Sequence, residues 1–296
     1  MKYSLLLIAI FLQCCQSGGK RDISIITEAE YFNAIKSNDI KLNPPEKGEW
    51  LYEHKERGQT FEQYKNEEII RITPERFIIY LMPLGEFDEL QMKLLKSTRD
   101  YLSIFFQQKV VLEDPVSDSL IPVSAKRTRE NGNTQLLAPY ILDSFLRNKI
   151  PANGVTILAI TEKDLFPKSD WNYVFGLASY AERIGVSSMY RLQGKKLDSS
   201  NYQTCLARLI NVCSHEIGHM FSLNHCIYAK CVMNGSNSLY ETDQCPNRLC
   251  SECQRKLSWN FHYDNIKRLQ ELNAYFKNNK LVRDFNLSEK DLEVLN

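Results

Sequence analysis

The stretch HEIGHMFSLNHC, residues 215–226, constrains this chain more than any other, because three of its five histidines fall within eleven residues. Four residues advance an α-helix by ~400°, so His215 and His219 share one face about a turn apart. Two imidazole nitrogens so placed can hold one Zn²⁺ at ~2.0–2.1 Å. Glu216 lies ~100° around from His215. That puts it beside the metal rather than on it, where a general base takes a proton from water held there. The preceding CLARLINVC is apolar at helical spacing (Leu206, Leu209, Ile210, Cys213), so one face is anchored in a core and the His–Glu face lines a cleft. A helix that simply continued would carry His225 away. A sharp turn between Met220 and Asn224 brings it back as a third ligand and leaves the fourth position open, as in catalytic zinc. A downstream acid such as Glu241 is the alternative third ligand.

Cysteine usage carries a second signal. None of the nine cysteines falls between Lys20 and Tyr202, and seven fall between Cys205 and Cys253. Such clustering fits local metal ligation better than a scaffold of disulfides. Cys226, Cys231 and the pair Cys250 and Cys253 form C-x4-C…C-x2-C, a set suited to a closed structural zinc, with two disulfides as the alternative. Either arrangement pins the chain just after His225. Cys205 and Cys213 read as core thiols, and Cys245 lies outside the pattern.

The opening MKYSLLLIAIFLQCCQSGGKRD reads as an export signal: Lys2 is its positive end and Leu5 to Leu12 its short apolar run. Cys14 and Cys15 suit the end of a bacterial lipoprotein signal, with Cys15 the better candidate for lipidation. Plain secretion is the alternative. Residues 1–14 are therefore expected to be a signal peptide, and the protein to be exported and anchored to a cell-envelope membrane by lipid. A net charge of +1 and the lack of a long basic run exclude nucleic acid as an expected partner.

Residues 15–75 are polar, broken by Pro44, Pro45, Gly48 and Gly58, and read as an extension with one short helix around Thr60 to Glu68. Linker, lid and inhibitory strap are equally open for it. RFIIYLMPLG predicts a strand. Phe87–Gln107 predicts a helix capped by Asp88. VVLED predicts a second strand, residues 134–148 a second helix despite Pro139, and VTILAIT a third strand. Residues 176–192 predict one or two strands, and a long helix runs from about Tyr202 to Ser222. This alternation, on 43% apolar residues, argues for an α/β fold: a mixed sheet with packed helices. The core domain spans 76–262. Residues 263–296 form a helical tail, with one amphipathic helix and one short further turn.

HEIGHMFSLNHCIYAKCVM followed by CSEC resembles the archaemetzincins, metalloproteases of the metzincin clan. Their pattern is HExxHxxGxxHC, x4, CxM, then CxxC after a gap close to the sixteen residues that here separate Met233 from Cys250. TILAITEKDLFP, NYVFGLASYAERIGVSSMYRL and RFIIYLMPLG are also similar to the family, and the likeness reaches back toward WLYEHKERGQTFEQY. The resemblance implies a metzincin-like zincin fold and two zincs per chain. One is catalytic, on His215, His219 and His225 with Glu216 as base; the other is structural, on Cys226, Cys231, Cys250 and Cys253. It also implies that Met233 forms a methionine turn beneath the catalytic metal, and that the substrate lies extended against a sheet edge. One position departs: the family glycine is Ser222 here, which costs on the order of 1 kcal/mol if φ is positive.

The expected function is peptide-bond hydrolysis of peptides or unfolded proteins by metal-activated water. A non-catalytic zinc lipoprotein that binds peptides or protein partners is the alternative.

Overall fold

The computed structural model describes residues 26–194 and 196–295. The signal segment and Cys15 lie outside the described residues. The helices and strands follow from caps and alternation. Thr27 closes a capping box over α1 (Glu28–Ile35). After the single turn of α2 (Trp50–Glu53), Thr60 does the same for α3 (Phe61–Asn66), the helix predicted from the sequence. β1 (Ile78–Leu84) leads to α4 (Glu89–Phe106), whose Asp88 and Gln91 satisfy each other's backbone N–H in a third such box. β2 (Val110–Leu112), β3 (Lys126–Thr128) and β4 (Thr134–Leu137) follow, then α5 (Ala138–Tyr140), which continues as one wide π-turn through Leu146. Next come β5 (Gly154–Thr161), β6 (Asp164–Phe166), β7 (Gly176–Ser179), β8 (Ile184–Ser188) and the long α6 (Tyr202–Met220). α7 (Leu239–Gln244), α8 (Ser251–Phe261), α9 (Asn265–Asn278) and α10 (Val282–Glu293) complete the chain.

The main sheet runs in the order β2-β1-β5-β8-β7, parallel except for β7, which pairs antiparallel with β8 and forms one edge. All eight residues of β5 are buried, because both faces of the sheet are covered. Leu158 and Ile160 face the layer containing α4 and α6, while Ile157 and Ala159 face the layer built from residues 121–146. Each leucine or isoleucine among them, fully buried, contributes roughly 1.5–3 kcal/mol. None of the described helices is long and apolar enough to cross a membrane.

Residues 134–148 correct the sequence reading. The first four form β4, part of a small sheet ordered β3-β4-β6, and the helix starts only at Ala138. Pro139 explains the shift. In the middle of a helix begun at Thr134 its ring would clash and remove a hydrogen bond, whereas in the first turn it costs nothing.

The C-terminal segment packs more extensively than one helix and a further turn. α10 is three turns long and lies on α9, and Asp284 accepts both Asn247 N–H and Asn247 Nδ2–H at 2.9 Å. Arg248 fastens both ends of the described chain. Its guanidinium donates to Asp291 of α10 (2.6 and 3.0 Å), to Asp39 (2.7 Å) and to the carbonyl of Ile35 (2.9 Å).

Candidate metal centre

α6 carries CLARLINVC into the core and presents His215, Glu216 and His219 along the wall of a cleft of about 540 Å³. The helix closes with a Schellman motif: Leu223 N–H donates to Gly218 O at 3.0 Å and Ser222 N–H to His219 O at 2.8 Å. The left-handed residue this motif needs is Ser222, at φ 66°. The positive φ expected for the family glycine is therefore imposed on serine, and the side chain a glycine lacks is put to use. Its Oγ accepts Ile70 N–H at 3.3 Å, and its carbonyl accepts Gln59 Nε2 at 3.1 Å.

The reversal returns His225 to the helix. Its ring centroid lies 5.2 Å from His215 and 4.8 Å from His219, and one donor atom from each of the three lies within 4.8 Å of the others. Each Nδ1 is taken from behind. His215 Nδ1 donates to Val232 O (2.9 Å), His219 Nδ1 to Leu223 O (2.7 Å) and His225 Nδ1 to Glu56 Oε1 (2.7 Å). Carbonyls only accept, so the protons of His215 and His219 sit on Nδ1 and both Nε2 atoms present lone pairs. These two Nε2 atoms are 2.9 Å apart. Two lone pairs facing at that distance repel, and a cation between them removes the conflict. The donor set therefore fits zinc, with each ring oriented by a hydrogen bond at its far nitrogen. Burial, followed by the other imidazoles, holds His215 and His219 neutral: the first is lowered to about 3, the second well below its ordinary value.

Glu216 is 7% exposed, and burial pushes its carboxyl up to about 8. Gly176, the first residue of the edge strand β7, makes its space, since a Cβ there would collide with the Glu216 carboxylate. Gly218 does the same beneath the helix, where the thioether of Met233 occupies the place of a Cβ. Met233 thus packs on α6 between the turns that carry His215 and His219.

The four cysteines Cys226, Cys231, Cys250 and Cys253 converge, all buried and unoxidised, with their sulfurs within 4.8 Å of one another. Hydrogen bonds from the other three lower the Cys226 thiol, while Cys250 and Cys253 are raised. Thiols so crowded can all ionise only around a cation, and four sulfurs are the donor set of a closed zinc. Asn234 organises the loop: its Oδ1 accepts Cys231 N–H at 2.7 Å, and its Nδ2 donates to Cys226 O at 2.7 Å and to Ala229 O at 3.0 Å. Cys205, Cys213 and Cys245 lie outside this cluster, and burial raises the first to about 12 and the last to about 11.

Glu241 does not join the histidines. Its carboxylate accepts the backbone N–H groups of Trp50 and Asn237, each at 2.7 Å. Three side chains outside the sequence reading reach the site instead. Glu56 stands behind His225. Trp50 lies edge-on to His225 at 5.1 Å. Tyr180, in the turn after β7, stacks on His219 at 4.9 Å with its hydroxyl 2.8 Å from Nδ1. Burial, then the carboxylates of Glu216 and Glu56, raises the Tyr180 hydroxyl and keeps it a neutral phenol. No residue spacing marks these three, since Glu56 and His225 are 169 positions apart.

Comparison with known proteins places this geometry. Peptidase family M54 matches residues 138–259. Archaemetzincin-2 of Macaca fascicularis is 32% identical over 268 residues, covering 79% of this chain and 72% of that protein. The archaemetzincin of Thermococcus kodakarensis is 30% identical over 184 residues, covering 61% of this chain and 95% of the other. Among solved structures, the archaemetzincin of Methanopyrus kandleri is similar with a TM-score of 0.52 and 26% identity, covering 64% of this chain and 97% of that one.

Proposed function

Because the chain belongs to the archaemetzincins, a family of zinc metallopeptidases, we propose that His215, His219 and His225 hold the catalytic zinc and that Glu216 is the general base of peptide-bond hydrolysis. When bound, the zinc polarises the scissile carbonyl and acidifies the attacking water. Glu216 takes a proton from that water on its carboxylate and delivers it to the leaving nitrogen. The outer hydrogen bonds at Nδ1 hold the imidazoles in place throughout. The peptide lies extended along β7, the edge strand beside the cleft, where main-chain hydrogen bonds give it register. Cys226, Cys231, Cys250 and Cys253 hold a second, structural zinc, for a total of two per chain, and this zinc braces the peptide that carries His225. Export and lipid attachment through Cys15 belong to the same proposal, and loss of a fatty-acid label in Cys15→Ala tests them.

The observation that carries this reading is the pair of inward Nε2 lone pairs 2.9 Å apart, with Glu216 the next residue along the helix. The test joins metal analysis with cleavage of a peptide library. Wild type is expected to hold about two zincs, as the two donor sets require. Glu216→Gln should keep both and lose hydrolysis by roughly 10²–10⁴-fold. A fully metallated wild type that cleaves nothing across a broad library would instead favour a non-catalytic, peptide-binding protein.

A further inference from the structure

His225 differs from the other two imidazoles in how it is held. His215 and His219 stand on a helix and donate to main-chain carbonyls of their own neighbourhood. His225 follows the helix end in an irregular run, and its Nδ1 donates to the carboxylate of Glu56, from the segment that precedes the sheet. We infer that Glu56 is a positioning residue of the catalytic centre, fixing the ring of His225 and so completing the third zinc ligand from outside the metal-binding motif. This inference rests on the zinc site proposed above.

The carboxylate is itself held. Its Oε1 accepts Trp50 Nε1–H at 2.6 Å as well as His225 Nδ1–H at 2.7 Å. Trp50 is anchored by its backbone N–H on Glu241 at 2.7 Å. Beyond Glu56, the side chain of Gln59 grips the reversal from the other side: its Nε2 donates to Ser222 O, and its Oε1 accepts Asn224 N–H at 3.4 Å. Lys256 donates to the carbonyl of Gln59. Fastenings on both sides keep Glu56 in place, at little further entropic cost on metal binding. Its oxygen takes Nδ1 and leaves Nε2 of His225 as the nitrogen free to ligate. Residues 50–59 therefore form a wall of the metal site, and Trp50 lines the cleft itself. A carboxylate hydrogen-bonded to a ligating imidazole orients the ring and raises its basicity, and removing such a partner typically weakens metal binding by roughly 10–100-fold.

The test uses the full chain as wild type, Glu56→Ala and Glu56→Gln. Zinc affinity is measured by competition with a chelating dye, and the sites are told apart after cobalt substitution. Sulfur-to-cobalt charge transfer reports the cysteine site and doubles as a check of folding; the ligand-field bands report the imidazole site. Glu56→Ala is expected to release one zinc roughly 10–100-fold more readily, to change the imidazole-site bands and to leave the sulfur bands as in wild type. At saturating zinc its kcat should fall while KM for a peptide holds. Glu56→Gln keeps an acceptor without the charge and should fall between the two. Wild-type affinity and bands in Glu56→Ala would overturn the inference, as would loss of both metals together in Glu56→Gln. If Glu56→Ala does not fold, an imidazole site in Glu56→Gln indistinguishable from wild type overturns it equally. A wild type with no metal on the imidazoles would instead sink the proposed function itself.

Discussion

The hydroxyl of Ser222 accepts the backbone N–H of Ile70 at 3.3 Å, from a residue whose φ of 66° favours glycine. Strain and anchor sit in the same side chain. Relieving the strain by Ser222→Gly recovers on the order of 1 kcal/mol, and losing the hydrogen bond costs ~1 kcal/mol. The two nearly cancel. Ser222→Ala keeps the strain and loses the bond, so it should be less stable than both wild type and Ser222→Gly by about 1 kcal/mol. Thermal unfolding at fixed zinc orders the three, and an alanine variant as stable as wild type would show that the contact with Ile70 contributes nothing.

Gly176→Ala is expected to impair chemistry without touching the metal. The new methyl group would occupy the position of the Glu216 carboxylate. A displacement of that size costs on the order of 10²-fold in rate, while zinc content and melting temperature stay near wild type. Unchanged kcat would show that Glu216 works from a different position.

Cys226→Ser removes one sulfur from the four-cysteine cluster. Zinc content should drop toward about one per chain, since a structural zinc needs all four ligands. Because Cys226 is the neighbour of His225, the remaining zinc should also dissociate faster. Metal analysis with timed chelator release measures both; one zinc in wild type and variant alike, with a mass shift showing disulfides, would overturn the structural zinc.

Asp291→Ala leaves the buried Arg248 guanidinium with Asp39 and one carbonyl. Breaking a buried pair from one side costs ~3–5 kcal/mol. The retained Asp39 places the expected loss at the lower end. Chemical denaturation gives the number. A loss below about 0.5 kcal/mol, typical of a surface substitution, would mean that the pair is not buried in solution.

Legibility in the sequence followed the range of the interaction. α4 was readable because Asp88, Gln91 and the apolar spacing all lie within one helix. The imidazole site was readable because His215, His219 and His225 lie within eleven residues, so a turn was the only missing premise. β3 and β6 escaped notice because three residues are too few to show alternation. β4 escaped because its TQLL runs straight into helical residues. The outer shell of the metal site was hidden for a different reason. Val232 and Leu223 act through carbonyls that every residue possesses, and Glu56 is one of many acidic residues in a polar stretch.

The separation of Glu56 from His225 also sets a timetable for the nascent chain. At roughly 5–20 residues per second, the ribosome needs on the order of ten to thirty seconds to cover the 169 positions between them. Gln59 and Tyr64 wait almost as long for Ser222 and Phe221. Trp50, Phe61 and Tyr64 also bond to residues made later still, Glu241, Glu252 and Asn260. The outer support of the metal site is thus complete only once a stretch made early and a stretch made much later have met.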